Sequence, residues 1–385
     1  MSAIPTNTTD SYLDWNLTLK EKLSYELIWT LRFLTRKDKL LKGFEAKIED
    51  NLLNRLEKEG IPDHNVKAIE EIEWEDLIKT NDLSLLKKKQ PFIIRGGCKH
   101  IEAFEKWSAD YFEQNYYDCE VNVFSNSTKK DKTQGTFTPE KLGKFIDDSK
   151  TGKSNKYIIG ASNIFANNRN LLRELNFSSF EKALKLKITS MDFFMGTARN
   201  CTRFHYEPVG NIFAMLKGEK KWTLSEQKYT PCFYPLTSTM TPGVFLMRTR
   251  IPYMETSDTV SEFKLFNKAP KIKAHLKEAD VLVNPGFWWH QVENDDESTA
   301  TNIAVAHRFH DTTRYSIGSK SFYAFFDLIV MAGIIVNPKL FKIYAQYAKN
   351  NDKDRKIDDI YLSEDVFYEA NKYNDTITEK INQDT

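Results

Sequence analysis

The stretch of sequence that decides the fold runs from residue 202 to residue 224 and reads TRFHYEPVGNIFAMLKGEKKWTL. Two β-rich runs, Asn211–Leu216 and Lys221–Leu224, flank a turn at Lys217-Gly218. Similar short runs lie before and after this stretch, at Ser190–Thr197, Val281–Val283 and Ala300–His307. Many short strands at close spacing favour a sandwich or barrel over alternating strands and helices.

Helical patterns flank this β-rich segment on both sides. Residues 17–60 carry apolar residues at helical spacing and divide into two predicted helices near Thr35–Leu41. After Asp311 the chain is again predicted to be helical, through Ser319–Val336 and Pro338–Lys349, before a polar tail from Asn371. We therefore expect three regions: a helical N-terminal region (1–89), a β-rich domain (90–311), and a C-terminal helical region with a polar tail (312–385).

The segment before the β-rich core mixes strand and helix signals. Pro91–Arg95, Glu120–Phe124 and Lys156–Ile159 are predicted strands. Thr138–Asp148 is predicted to be a helix, with Thr138 as its N-cap and a proline at its first position. Residues 126–135 are polar and predict a loop.

Composition excludes several classes of protein. Fifty-five Lys and Arg residues against 54 Asp and Glu residues give a net charge of +1. This balance argues against a protein that coats nucleic acid, which needs a basic excess. Four isolated cysteines, without a C-x-x-C pair, exclude a disulfide scaffold and a structural zinc finger. Only seven histidines are present, so any metal site must draw on few candidates.

The sequence gives no sign of export or of a membrane span. Its first 14 residues are polar and lack the basic and apolar regions of a signal peptide. Phe322–Val336 is apolar but holds Asp327 and is shorter than the ~20 residues that span a bilayer. We expect a cytoplasmic protein in which this segment forms a buried or interface helix.

Two local patterns point to metal chemistry. Residues i and i+2 of a strand face the same side, so His205 and Glu207 are predicted to point together into the barrel. His290, in the late motif Asn284-Pro-Gly-Phe-Trp-Trp-His-Gln-Val-Glu-Asn294, supplies a third ligand. Two imidazoles and one carboxylate form the facial triad of non-haem Fe(II) oxygenases. H-x-E alone is a common pattern, and a histidine beside two tryptophans is often only packed, so the combination carries the prediction.

Over residues 91–309 the sequence resembles the Jumonji C and cupin-like 2-oxoglutarate-dependent oxygenases. The resemblance begins with Pro91-Phe-Ile-Ile-Arg-Gly and Lys106-Trp-Ser-Ala-Asp-Tyr, and is strongest over residues 196–235. The order of His205-Tyr-Glu, Asn211-Ile-Phe-Ala and Lys217-Gly-Glu-Lys follows the family, as does Pro285-Gly-Phe-Trp-Trp-His. The pattern is closest to the asparaginyl hydroxylase of hypoxia-inducible factor. A double-stranded β-helix (jelly-roll or cupin) core is the fold that this resemblance implies.

The resemblance also implies a set of functional residues. His205, Glu207 and His290 would bind Fe(II), with dioxygen as co-substrate. Lys220 and Thr202 would bind the distal carboxylate of 2-oxoglutarate, and Asn211 would lie near the same molecule. A dicarboxylate in a narrow barrel needs a buried cation, which suits Lys220. The alternatives without a binding role are that Lys220 is exposed to solvent and that Asn211 only orients the backbone.

Three departures from the family pattern stand out. Glu207 replaces the aspartate of the asparaginyl hydroxylase, although some family members use glutamate there. The strand that carries a co-substrate tyrosine in that hydroxylase offers only Phe124 here. Its inward asparagine has no clear counterpart either: Asn302 is nearby, but Ala306 fits the register better.

The expected activity is hydroxylation of a protein or peptide side chain, coupled to decarboxylation of 2-oxoglutarate to succinate. A small-molecule, lipid or tRNA hydroxylase and a cupin-like binding protein without turnover are the alternatives. A nucleic-acid substrate is disfavoured by the balanced charge. The apolar C-terminal helix resembles the dimer interface of family members, or it folds back on its own barrel. The motifs leave the substrate open, as well as the choice between stable hydroxylation and demethylation.

Overall fold

The computed structural model describes residues 12–125, 137–151, 154, 156–161, 163–197, 200–239, 246–252, 262–294, 301–309 and 323–336. The loop predicted over residues 126–135, the helix predicted over 338–349 and the predicted polar tail lie outside these residues.

Two helices come first among the described residues, as the apolar spacing predicts. α1 spans Leu19–Thr35 and α2 spans Lys42–Lys58. Thr18 caps α1 in a capping box, because its hydroxyl and the Glu21 carboxylate each accept from the other residue's backbone N–H. Arg36 ends the helix in the left-handed conformation, which places the break inside the predicted interval.

The other strands and helices follow in chain order: β1 (Val66–Ala68), β2 (Glu70–Glu73), α3 (Trp74–Thr80), α4 (Ser84–Lys88), β3 (Phe92–Arg95), α5 (Glu102–Lys106), α6 (Ala109–Tyr116), β4 (Glu120–Phe124), β5 (Phe137–Lys141), α7 (Leu142–Lys150), β6 (Tyr157–Ala161), α8 (Asn163–Asn167), α9 (Arg169–Leu175), α10 (Ser178–Leu184), β7 (Ile188–Gly196), β8 (Cys201–Tyr206), β9 (Gly210–Lys217), β10 (Lys220–Ser225), β11 (Met247–Arg248), β12 (Lys271–Leu276), β13 (Val281–Asn284), β14 (Trp289–Asn294), β15 (Asn302–Phe309) and α11 (Ala324–Val336). Short 3-10 helices span Gln227–Phe233, Thr237–Thr239 and Lys264–Lys268.

Two sheets form the core of the molecule. The smaller sheet has the strand order β1-β12-β10-β14-β8-β11, and the larger has the order β2-β3-β13-β9-β15-β7-β6-β4-β5. All pairings except β1 with β12 and β2 with β3 are antiparallel. The prediction of a mainly β fold with a double-stranded β-helix core and helical flanks is confirmed.

Alternation along the strands divides the apolar residues among three layers. Phe213, Met215 and Trp222 belong to the cluster between the two sheets. The next residues along the same strands, such as Ile212 and Ala214, face outward into a cluster shared with α5–α10. The outer face of the smaller sheet is covered by α1, α2 and α11. Both sheets are therefore covered on their outer faces, and the space between them is lined mainly by apolar residues. A polar side chain in this space is a candidate for a functional role.

The segment predicted as a helix from Thr138 begins instead as an edge strand. Residues 137–141 form β5, which pairs with β4 along its length, and α7 starts only at Leu142. Pro139 is tolerated because an edge strand leaves one row of backbone groups without a ladder partner. Residues 66–73, inside the predicted helical region, form the short strands β1 and β2. The division into three regions stays a prediction.

The apolar C-terminal segment is helical, and it packs on α1. Tyr323 lies edge-on to Trp29 with ring centroids 4.6 Å apart, and Phe326 contacts both Trp29 and Phe33. Its Asp327 is buried, and burial, together with the neighbouring Glu26 charge, raises the pKa of that carboxyl to about 7. Over the described part of the chain, every helix is too short or too polar to cross a membrane.

Candidate functional site

The structure brings His205 and His290 together inside the barrel. They are direct cross-strand partners on β8 and β14, and their ring centroids are 4.2 Å apart. His290 shares its strand face with Val292, which belongs to the cluster between the sheets. The imidazole pair therefore lies in the interior, as the sequence predicts.

Backbone contacts fix the orientation of both rings. The Nδ1 atom of His205 lies 2.9 Å from the carbonyl oxygen of Arg203, and that of His290 lies 2.9 Å from the carbonyl oxygen of Trp288. Nδ1 must donate in each contact, so Nε2 keeps its lone pair for a ligand. Burial lowers the pKa of His205 and the pKa of His290, the latter strongly. Two neutral imidazoles with available Nε2 atoms fit a divalent metal.

Glu207 follows β8, but its carboxylate is held by an arginine. Both terminal nitrogens of Arg308 donate to it, and the Nε of Arg308 donates to Asp192 at 2.7 Å. No group of three or more His, Cys, Asp or Glu side chains that could hold a metal is present within the described ranges. The structure thus pairs the two imidazoles, and Glu207 is engaged elsewhere. The three-residue ligand set stays a prediction.

Lys220 lies at the start of β10, buried and facing the same interior. Its ammonium donates to the Tyr157 hydroxyl at 3.0 Å and to the Asn294 side-chain oxygen. Burial lowers the pKa of Lys220 to about 7. A solvated position for this lysine, the plainer reading of the sequence, is wrong.

Register relates this lysine to the imidazoles. Leu224 of β10 is opposite His290 on β14, and Lys220 is four residues earlier along β10. Four residues of strand correspond to roughly 13 Å. The cation and the imidazole pair therefore lie at the two ends of one interior space, on adjacent strands.

A β-bulge brings Thr202 to the same face. His205 is opposite His290, but Thr202 is opposite Val292, so β8 accommodates one more residue than β14 over this interval. Residues three apart on a regular strand face opposite sides, and the extra residue restores a common face. Thr202 thus lies on β8 between His205 and the level of Lys220. Its contact with a co-substrate stays a prediction.

Asn211 is buried on β9 in the larger sheet. It is opposite Asn284 on β13 and opposite Arg308 on β15. The side-chain oxygens of Asn211 and Asn284 are both buried, and neither has a hydrogen-bond partner among the described residues. A buried unpaired acceptor is costly, so this row of side chains is suited to receive a donor.

Several residues of the site were missed by reasoning from sequence. Tyr157 on β6, which the sequence did not single out, accepts from the Lys220 ammonium, whereas Phe124 packs on Phe137 at the sheet edge. Asn302 accepts from the backbone N–H of Glu219 at the β9–β10 turn, and Ala306 lies in the interior cluster. Asp192 and Arg308 carried no local motif, because only sheet pairing brings them to the site. Asn294 ends the motif that contains His290, but its contact with Lys220 depends on the pairing of β10 with β14.

Comparison with known proteins agrees with this architecture. A model of the family described as "Cupin-like domain" matches residues 80–314, which is more than half of the chain. The chain therefore belongs to the cupin-like domain family, and its relatives include Jumonji C proteins.

Three relatives illustrate the range of similarity. A human protein named "Bifunctional peptidase and (3S)-lysyl hydroxylase JMJD7" is 22% identical over 241 residues, covering 56% of this chain and 76% of the relative. "JmjC domain-containing protein E" of Dictyostelium discoideum is 22% identical over 332 residues, or 73% of this chain and 93% of the relative. Human "HSPB1-associated protein 1" is 31% identical over 110 residues, covering 26% of this chain and 20% of the relative.

Proposed function

We propose that this protein is a 2-oxoglutarate- and Fe(II)-dependent oxygenase that hydroxylates a protein or peptide side chain. The observation that carries the proposal is the pair of neutral imidazoles, His205 and His290, facing one interior space with the buried cation Lys220 at its other end. The named lysyl hydroxylase among the relatives supports side-chain hydroxylation as the reaction class.

One group of residues would hold the metal, and a second group would bind the co-substrate. His205, His290 and Glu207 would hold Fe(II), which supplies the activation of dioxygen that is coupled to oxidation of 2-oxoglutarate to succinate and CO₂. Lys220 would pair with the distal carboxylate, and the Tyr157 hydroxyl would keep that ammonium aimed into the barrel. Thr202 would donate to the same carboxylate. The apolar walls would exclude water from the reacting groups. Trp222 is part of these walls, and its ring centroid lies 5.4 Å from that of His290.

Iron content and uncoupled succinate formation test the proposal together. The protein is loaded anaerobically with Fe(II), and succinate release from 2-oxoglutarate is measured in air. His205→Ala is expected to lose stoichiometric iron and at least 100-fold of the succinate rate, on the order of 3 kcal/mol. The matched control is His275→Ala on β12, whose imidazole contacts Glu219 at 2.7 Å at the partly exposed barrel end. Wild-type succinate release by His205→Ala would contradict the metal assignment.

One observation favours a second candidate, a cupin-like binding protein without turnover. The ion pair between Glu207 and Arg308 satisfies the carboxylate in the absence of a metal. A binding protein would take up 2-oxoglutarate or another dicarboxylate at Lys220 and release no succinate. Calorimetric binding of 2-oxoglutarate without iron, combined with no succinate after iron loading, would establish this alternative.

We also propose that two copies of the chain associate through the face shared by α1 and α11. Leu23 and Leu27 on α1 are about half exposed, as are Phe325 and Leu328 on α11. Paired helix faces of this apolar character suit burial against an identical face. Light scattering is expected to give a dimer mass for the wild type and a monomer mass for Phe325→Asp. Ile78→Asp on α3, an equally exposed apolar position elsewhere, is the control that should stay dimeric.

A further inference from the structure

The arginine that holds Glu207 is the most unusual feature of the interior. Arg308 is surrounded by two carboxylates, because its Nε contacts Asp192 at 2.7 Å and its terminal nitrogens contact Glu207. Only about a tenth of the Arg308 side chain is exposed. An ion pair in such a setting gains more from its Coulomb attraction than a surface pair does. Glu207 is thereby satisfied without a metal.

The backbone of Glu207 is anchored separately from its side chain. Its carbonyl oxygen accepts from the Phe287 N–H at 2.7 Å, which ties the exit of β8 to the loop before β14. His205, two residues earlier, is held by its own carbonyl contact. With both backbone positions held, a movement of Glu207 between the arginine and the imidazoles would be a movement of its side chain.

Two further hydrogen-bond acceptors, the side-chain oxygens of Asn211 and Asn284, lie in the same row as Arg308. Asn211 is its direct cross-strand neighbour, and Asn284 is the next residue in the same row. Both have buried side-chain oxygens that lack a donor among the described residues. If Glu207 left, the guanidinium would find a neutral acceptor within cross-strand reach. The row therefore provides partners for Arg308 in both arrangements.

We propose that Arg308 is a positioning residue that competes with the metal for the Glu207 carboxylate, so that metal capture requires Glu207 to leave the arginine. The metal site on which this rests is that of the proposed oxygenase. In the metal-free protein Glu207 pairs with Arg308. In the metal-bound protein Glu207 joins His205 and His290, and the guanidinium turns to Asn211 while Asp192 retains its Nε.

Competition predicts opposite effects on metal affinity when Arg308 is replaced and when its other carboxylate partner, Asp192, is replaced. Arg308→Met removes both the competitor and a positive charge near the imidazoles, so the Kd for a divalent metal should fall about tenfold. Asp192→Asn leaves Arg308 with Glu207 as its remaining carboxylate, so the Kd should rise severalfold. A purely supporting network predicts that both variants weaken metal binding, because each would loosen the same ligand.

The experiment measures Kd for Co²⁺ by isothermal titration calorimetry on the full, chelator-stripped chain, with thermal unfolding as a check of folding. Arg308→Lys keeps a cation and is expected to bind nearly as the wild type does. The matched control is Arg95→Met, since Arg95 on β3 also bridges two carboxylates, Glu71 and Asp280, three strands from β15. This control should leave the Kd unchanged.

Each other outcome has a defined meaning. Weaker binding by Arg308→Met would overturn the competition and make Arg308 a support for the ligand. Equal Kd values for wild type, Arg308→Met and Asp192→Asn, with binding lost in His205→Ala, would overturn it and leave the oxygenase proposal intact. Absence of Co²⁺ binding in the wild type and in Arg308→Met would reject both proposals. If Arg308→Met fails to fold, the sign of the change in Asp192→Asn decides.

Discussion

Two buried lysines of the smaller sheet differ in what surrounds them. Lys220 on β10 and Lys271 on β12 are both almost fully buried, and burial lowers the pKa of each to about 7. The Lys271 ammonium donates to the backbone carbonyl oxygens of Phe266 and Ala269, on the outer face of the sheet. Among the residues that the structure describes, the Lys220 ammonium donates to side chains, on the inner face.

This difference separates a structural cation, Lys271, from the cation that we propose binds the co-substrate, Lys220. Backbone carbonyls are fixed by the fold, and a lysine that satisfies them serves the 3-10 helix at Lys264–Lys268. A hydroxyl and an amide are able to reorient when a better acceptor arrives. Burial and a depressed pKa are therefore insufficient to identify a ligand site, and the kind of partner decides.

The largest expected effect is on co-substrate binding. Lys220→Met should raise the KM for 2-oxoglutarate roughly 100-fold, because loss of one partner of a buried charge pair costs about 3 kcal/mol. Lys271→Met is the matched control and should leave this KM unchanged. The measurement is succinate formation against 2-oxoglutarate concentration. Equal KM values for Lys220→Met and the wild type would give both lysines the same structural role.

The next effect, on stability, should have the opposite ranking. Lys271→Met leaves buried carbonyls unpaired, at about 1–3 kcal/mol each, partly offset by removal of a buried cation. We expect its free energy of unfolding to fall by about 2 kcal/mol. Lys220→Met should keep or raise that free energy, because its partners are side chains that find each other. Urea unfolding at pH 7 without co-substrate measures both, and an equal loss would remove the distinction.

A third effect follows from the pKa of Lys220, which is about 7 in the free protein. A bound carboxylate favours the ammonium, so the bound-state pKa lies above the free one. Affinity for 2-oxoglutarate is then fully present below about pH 7 and falls up to tenfold per unit as the pH rises above it. Calorimetry from pH 6.5 to 9 should show this slope in the wild type and in Lys271→Met. A wild-type affinity that is constant over this range contradicts the assignment.

Much of the fold follows from local pattern, and much of the site does not. The short strands around residues 190–309 were predictable, because β-rich runs there alternate with turn residues. The prediction of a helix that begins at Thr138 was wrong. A threonine followed by a proline is typical of a helix start, and the pairing of β5 with β4 is not visible in the local sequence. The cross-strand contact of His205 and His290 agrees with the predicted inward-facing motifs.

The partners of these motif residues were beyond reach from sequence. Arg308 and Glu207 are 101 residues apart, and Lys220 and Tyr157 are 63 apart. No spacing rule links such pairs, because strand order alone sets them. Tyr157 was not singled out for the same reason: its strand β6 pairs with β7, whereas β4 lies one strand further toward the sheet edge.

The smallest expected effect tests the role of a side-chain partner of Lys220, the Tyr157 hydroxyl, in contrast to the backbone carbonyls that surround Lys271. Tyr157→Phe removes a hydrogen bond that the ammonium donates to a hydroxyl, worth about 1.5 kcal/mol, so the KM for 2-oxoglutarate should rise roughly tenfold. The lost hydroxyl stabilised the ammonium, so the pKa of Lys220 should fall and the loss of affinity should begin at lower pH. Tyr117→Phe, which removes a surface hydroxyl 3.0 Å from Asp147, is the control. A KM increase in Tyr157→Phe without a shift of the pH profile would mean that the hydroxyl contacts the co-substrate directly and leaves the lysine unaffected.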